Sequence, residues 1–302
     1  GKDDFRVEED GQAVELAGVT FYSSRQRVDA AGHTLARAES QRLFILFFHD
    51  QRRMNTEVPG VLARSLDAGR RAREWARKLA AEDYVAVASY DTSLAVAQDF
   101  SRDREAIRRG IDLALTGKAP AGNWPSRLPP PEEGKPSLLR NLPRGNELIT
   151  KTPTIYEALQ VIAAATDDIV GRKNLILWSS GFGEVDTADQ FHPDPRYDAP
   201  TAQALNDGNV AVYAVDLIQI DDYSPLSNAL SLLATSTGGR YIENVVNFST
   251  PLETISGETA GYYLLAYRAT HTHGSSGYQK VSVAVRNPEF RVKAREGYKY
   301  GE

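Results

Sequence analysis

The chain has 302 residues, a formal net charge of −5, 41% hydrophobic and 25% charged residues, and no cysteine. Such proportions fit a folded globular protein rather than a disordered or fibrous one. Basic residues scattered without a stripe argue against a nucleic-acid surface, and the lack of cysteine excludes thiolate metal sites, cysteine nucleophiles and disulfides.

The longest apolar run, Leu43 to Phe48, falls far short of the roughly 20 residues that a membrane-spanning helix needs. The start at Gly1 before Lys2-Asp3-Asp4 has no signal-peptide core and fits a chain whose leader has been removed. The length predicts one large domain with a smaller companion.

From Asp4 to Ser24, Phe5 and Val7, Val14 and Leu16, then Val19 and Phe21 alternate with polar residues around Asp10-Gly11, predicting short β-strands and a tight turn. Arg25 to Gln41 is polar and reads as a linker or frayed helix. Leu43 to Phe48 is continuously apolar and ends in His49-Asp50, as in a central parallel strand covered on both faces. From Gly60 to Ala81, Leu62, Leu66, Ala72, Trp75, Ala76 and Leu79 recur at mostly helical spacing. Tyr84 to Tyr90 and Leu94 to Phe100 are strands joined by Asp91-Thr92-Ser93, too short for a parallel crossover, so the second runs antiparallel.

Asp103 to Leu115 and Thr154 to Ile169 read as helices. Between them Gly117 to Pro153 is rich in proline and aperiodic; so long a loop is functional or disordered. Lys173 to Trp178, a helix near Thr201 to Asn206, a strand over Asn209 to Leu217, a helix over Pro225 to Ser236 and Arg240-Tyr241-Ile242 complete a βαβ rhythm. Strands are expected again at Tyr262 to Arg268, Val281 to Arg286 and Arg291 to Ala294.

Asp50 stands where a central strand ends, at the carboxyl edge where open α/β sheets bind ligands; the plain alternative is a turn aspartate. The turn after it, Gln51-Arg52-Arg53-Met54-Asn55, has no glycine to admit a phosphate. Ser179 or Ser180 can be paired with His49 as nucleophile and base, but no Gly-x-Ser-x-Gly elbow surrounds them. His271 and His273 lack partners to complete a tetrahedral metal set.

Four blocks carry a family resemblance. Asp4-Phe5-Arg6-Val7-Glu8-Glu9-Asp10-Gly11, Thr237-Gly238-Gly239-Arg240-Tyr241, Tyr262-Tyr263-Leu264-Leu265-Ala266-Tyr267 and Val292-Lys293-Ala294-Arg295-Glu296-Gly297-Tyr298 resemble, in order and over nearly the whole chain, the VWFA-related family of von Willebrand factor A-like domains common in Acidobacteria. That resemblance implies a Mg²⁺ site of oxygen ligands. Here Asp50 matches the first ligand, while Arg52 and Met54 stand at its serine positions. Thr152, Pro153 or Thr154 stands at its threonine, and Ser180 at its late aspartate. A vestigial site follows, with Arg52 and Arg53 able to supply the missing positive charge, or else simply facing solvent.

The expected fold is α/β: a von Willebrand factor A (Rossmann-like) parallel sheet with one antiparallel edge strand, flanked by helices, over residues 41–248. A β segment and linker (1–40) and a C-terminal β segment (249–302) pair as a small all-β unit. The expected function is non-enzymatic protein–protein binding or assembly, with another protein or copies of itself, outside the cytoplasm of a bacterium and without a cofactor. Partner contacts fall on Asp50, Arg52, Arg53, Trp124, Thr152, Thr154, Ser179 and Ser180. A Mg²⁺-dependent adhesive domain and a hydrolase using Ser179 or Ser180 are the alternatives. Trp124, Leu128, Leu138, Leu139 and Leu142 serve either as partner anchors or as a cover over the sheet edge.

Overall fold

In the computed structural model, residues 1–23, 28–29, 41–49, 60–116, 131–219, 222, 224–270 and 276–300 are described. The chain opens with β1 (Phe5–Glu9), β2 (Gln12–Val14), β3 (Leu16–Ser23) and β4 (Val28–Asp29). Asp10 and Gly11 turn β1 into β2 with positive φ of 46° and 82°, the primed geometry that matches the twist of a two-residue hairpin.

There follow β5 (Leu43–His49), α1 (Val61–Lys78), β6 (Tyr84–Tyr90), β7 (Leu94–Ser101), α2 (Arg104–Thr116), α3 (Asn146–Lys151), α4 (Ile155–Ala164) and β8 (Lys173–Ser179). Next come α5 (Asp198–Asp207), β9 (Val210–Asp216), α6 (Ser227–Ser236), β10 (Arg240–Ile242) and α7 (Ser249–Glu258). β11 (Gly261–Tyr267), β12 (Gly277–Val285) and β13 (Gly297–Tyr300) close the chain.

The large sheet has the order β10-β9-β8-β5-β6-β7, parallel throughout except for β7 at one edge. This is the arrangement expected from the sequence, a parallel sheet with one antiparallel edge strand. Every residue of β5 is buried, because the strand has parallel neighbours on both sides and helices over both faces. Leu43, Ile45 and Phe47 pack with α4, α5 and α6. Phe44, Leu46 and Phe48 pack with α1, α2 and α7.

The chain ends pair as expected, but in two sheets rather than one. One has the order β13-β12-β1-β2 and the other β11-β3-β4, and Val7, Leu16, Val19 and Val281 form a core between them. At its heart is Glu9, 1% exposed. Its carboxylate accepts from the Thr270 amide (2.8 Å) and hydroxyl (2.6 Å) and from the Tyr298 hydroxyl (2.6 Å).

Four expectations are corrected. Residues 249–258 are helix, not β: α7 buries Leu252 and Ile255 against the α1 face of the sheet. The strand expected at Arg291 to Ala294 lies instead at β13, where Gly297 to Tyr300 finds a partner in β12. The helix from Thr154 ends at Ala164, followed by turns. Leu62 and Leu66 are 53% and 48% exposed; the buried stripe of α1 is Ser65, Ala68, Gly69, Ala72, Trp75 and Ala76. Small residues face inward there because α2 lies close: a Cβ on Gly69 would strike the Leu115 side chain.

Candidate functional site at the carboxyl edge of the sheet

Asp50, Arg52, Arg53 and Trp124 lie outside the described residues, as do His271 and His273. The described part of the edge is built from the ends of β5, β6 and β8, the start of α4 and the segment after β8. His49 ends β5 and stands level with Tyr90 in β6. Its Nδ1 lies 2.7 Å from Ser179 Oγ. The Gly181 amide donates to the same oxygen at 3.0 Å, which leaves the serine proton for His49 Nδ1 or for the Gly181 carbonyl at 3.3 Å. The shorter contact favours His49 as acceptor. Burial depresses the imidazole from its ordinary value to about 3, so the ring stays neutral.

The pairing of His49 with Ser179 weighed from sequence is therefore formed, yet Ser179 is 0% exposed and His49 5%. Among the described residues no carboxylate stands against the ring; its ring neighbours are Tyr90 and Phe182. A nucleophile needs an open path to substrate and a base oriented for turnover. What this pair does in the structure is fasten the turn after β8. Gly181 completes it at φ +101°, with the Leu226 backbone 2.5 Å from where a Cβ would stand, so only glycine fits.

The threonines are likewise committed. Thr152 Oγ1 donates to the Leu148 carbonyl at 2.7 Å and receives the Leu94 amide at 3.5 Å. Thr154 caps α4, accepting from the Tyr156 amide at 3.1 Å and bonding the Glu157 carboxylate. Pro153 is fixed by the Tyr90 hydroxyl, 2.7 Å from its carbonyl. Ser180, 3% exposed, occupies the remaining ligand position. Mg²⁺ calls for near-octahedral oxygen ligands. The hydroxyls of Thr152 and Thr154 are engaged internally, and the positions of Asp50, Arg52 and Met54 lie outside the described residues. Among the described residues no cluster of three metal-ligating side chains occurs.

The segment after β8 is well tied. Phe182 packs edge-on against Tyr156 (5.1 Å, 87°), which stacks on Tyr197 (5.3 Å, 21°). Asp186 accepts from the amides of Ala188 and Gln190 and from His192. Burial, with Asp198 beside it, pushes the Tyr156 hydroxyl upward.

Leu138, Leu139 and Leu142 are buried in the core on the α4 face of the sheet, toward its amino half, where Asp99 stands near the start of β6. Asp99 holds them there, accepting from Ser137 Oγ (2.6 Å) and the Leu138 amide (2.8 Å). These leucines are core residues, neither free anchors nor a cover over the carboxyl edge; Leu128 lies outside the described residues.

One edge residue escaped the sequence reading. Asp216 ends β9 level with Ser179, is 4% exposed, and accepts from the Tyr241 hydroxyl (2.7 Å) and the Ile218 amide (2.8 Å). The rule that singled out Asp50, an aspartate closing a buried strand, also finds Asp216.

Among the described residues, no helix is long and apolar enough to cross a membrane. No protein-family model and no curated protein matches the chain. Among solved structures it is similar to the conserved hypothetical protein BatB from Bacteroides thetaiotaomicron, at 12% identity and TM-score 0.46 over 72% of this chain and 97% of that one. It is also similar to the vWF domain of the type V pili tip protein Mfa5 from Porphyromonas gingivalis, at 12% and 0.42 over 72% and 96%. A third is proximal thread matrix protein 1 from the mussel byssus, at 15% and 0.42 over 71% of this chain and 47% of that one. These are loose likenesses of fold, and the association of the motif blocks with Acidobacteria finds no support in them.

Proposed function

We propose that the chain is a non-enzymatic protein-binding or assembly module. Its recognition surface is the carboxyl-edge rim of Asp50, Arg52, Arg53, Trp124 and Thr154, with Thr152, Ser179 and Ser180 behind it, and it binds without a metal ion. The observation that carries this reading is the internal commitment of Ser179, Thr152 and Thr154. Groups that would hold a cation or attack a substrate instead brace a rigid edge, and a preorganised edge loses little entropy when a partner docks. Ser179, Ser180 and Thr152 act from beneath that surface as its support. On the motif resemblance we place the protein outside the cytoplasm of a bacterium, with another protein or a further copy of itself as partner.

The test is affinity capture with the purified chain as bait, repeated with Arg52→Glu/Arg53→Glu and with Trp124→Ala. Capture is expected to fall at least tenfold in both variants, with melting unchanged, and to persist in EDTA. Undiminished capture by both variants rejects the rim. Capture abolished by EDTA and restored by Mg²⁺ returns the site to a metal-dependent adhesive one.

A further inference from the structure

At the other end of the large sheet lies a cleft of about 1320 Å³. It is bounded by the amino edge of the sheet (Asn174, Val210), by β11 and β12, and by the stretch from Phe290 to Arg295. Small-molecule sites typically span roughly 300–1,000 Å³, so this one has room for more.

One wall is a strand edge. β11 ends its sheet, with β3 on one side and no strand among the described residues on the other. The successive residues Gly261 to Leu265 all line the cleft. Since side chains alternate between faces, a cleft that meets each of them runs along the edge of the strand. The sequence Gly-Tyr-Tyr-Leu-Leu-Ala-Tyr carries neither the charges nor the proline that usually guard an open edge. Tyr263 and Leu264 are about half exposed.

The charge of the walls is opposite to that of the chain. In a protein of net charge −5, the lining includes Arg42, Arg172, Arg240, Arg291, Lys293 and Arg295 against the carboxylates of Asp4, Asp207 and Glu258. Arg42 is paired with Asp83, while Arg240 and Lys293 share Glu258. Arg172, Arg291 and Arg295 have no carboxylate partner among the described residues.

The same wall holds Asn174, 4% exposed. Its Nδ2 donates to the Leu43 carbonyl at 3.3 Å, which orients the amide, and its Oδ1 is a buried acceptor without a partner.

We propose that this cleft receives an extended acidic peptide segment, which adds as a strand to the edge of β11 and sets its carboxylates against Arg172, Arg291 and Arg295. Seven residues of β11 give a track of about 23 Å at roughly 3.3 Å per residue. This site is distinct from the rim, and neither reading depends on the other.

The test uses a fluorescein-labelled nine-residue peptide of alternating valine and glutamate, with two comparison peptides: one with lysine for each glutamate and one with proline for alternate valines. Binding to the full chain is followed by anisotropy. Saturable binding is expected for the glutamate peptide, at least tenfold weaker for both comparisons, with slowed hydrogen exchange at the amides of Leu264 to Tyr267. Arg291→Glu/Arg295→Glu, both exposed positions, should weaken it at least tenfold while leaving melting unchanged. Several results overturn the proposal: no saturable binding up to millimolar peptide, equal binding of the lysine or proline peptide, or binding without protection of β11. Full displacement by millimolar inorganic phosphate would reduce the cleft to a simple anion site, and self-association abolished by the double variant would assign it to a second copy.

Discussion

At the scale of single residues, the four family-like blocks prove to be one construction. Glu9 lies in the first, Tyr267 closes the third and Tyr298 the fourth, and both tyrosines bear on the Glu9 carboxylate. The second block meets the fourth at Gly238, where φ is +68° and a Cβ would stand 2.8 Å from the Ala294 carbonyl carbon. Gly239 next to it abuts the Val212 backbone so closely that any Cβ would collide. The motifs thus mark how the β unit is stapled to the α/β domain. Burial alone would raise the Glu9 carboxyl, but bonds from Thr270, Tyr298 and Tyr267 outweigh it and hold it below the ordinary value of 4.5. A depressed carboxyl stabilises the fold above its unfolded pKa and ceases to as pH falls through the folded one. Glu9→Gln faces an amide nitrogen or a weaker acceptor toward those donors and is expected to cost about 1–3 kcal/mol at pH 7, with less further loss than the parent below pH 4.5; chemical denaturation across pH checks both. His49 acts over another window. With its folded value near 3 against an ordinary 6.5, only the unfolded chain takes the proton between them. Stability therefore falls as pH drops through that range, by up to about 1.4 kcal/mol per pH unit. In a His49→Gln variant this part of the slope should vanish, and identical slopes for parent and variant would refute the buried neutral imidazole.

At the scale of elements, the attachment of residues 137–142 to the core depends on one carboxylate. Burial raises the Asp99 carboxyl, while bonds from Ser137, Leu138 and Phe100 oppose that rise. Asp99→Ala is expected to release residues 131–142 to limited proteolysis, whereas Leu138→Ala should cost about 2–5 kcal/mol as a core truncation. Rapid cleavage there in the parent protein would contradict both. These leucines also explain where the sequence stopped being legible. A few apolar residues in a proline-rich stretch look the same whether they anchor a partner or roof a core, because burial depends on contacts distant in sequence. The β5 run was readable since seven consecutive buried positions admit few other interpretations. The placement of Ser179 and Ser180 at this edge followed from topology, and that of Thr152 and Thr154 from the family resemblance. That hydroxyls there are spent on Gly181, Leu148 and Tyr156 did not, being a matter of rotamers. α1 was placed but its inner face misjudged, because apolar spacing gives weight to Leu62 and Leu66, whereas close packing on α2 selects Ala68, Gly69 and Ala72. α7 went unread, as Pro251, Leu252 and Ile255 are too few to form a periodic stripe.

At the scale of the molecule, α7 decides where the α/β domain ends. The domain expected from sequence ends at Phe248. Yet Trp75 donates its indole N–H to Ser256 Oγ at 2.6 Å, and Arg42, at the entrance to β5, donates to the Ser256 carbonyl at 3.3 Å. Leu252 and Ile255 are 1% and 0% exposed, in the same core as Phe44 and Ala72. Covering two such side chains stabilises by about 1.5–3 kcal/mol each, a large share of the roughly 5–15 kcal/mol that holds a domain together. We therefore place the boundary after α7, near Thr259. A fragment of residues 41–260 is expected to fold with a single cooperative melt and a buried Trp75 fluorescence signature, while one of residues 41–248 should lose about 3–6 kcal/mol and show that tryptophan exposed. Were the two fragments equally stable, α7 would belong to the β unit, and the earlier boundary would stand.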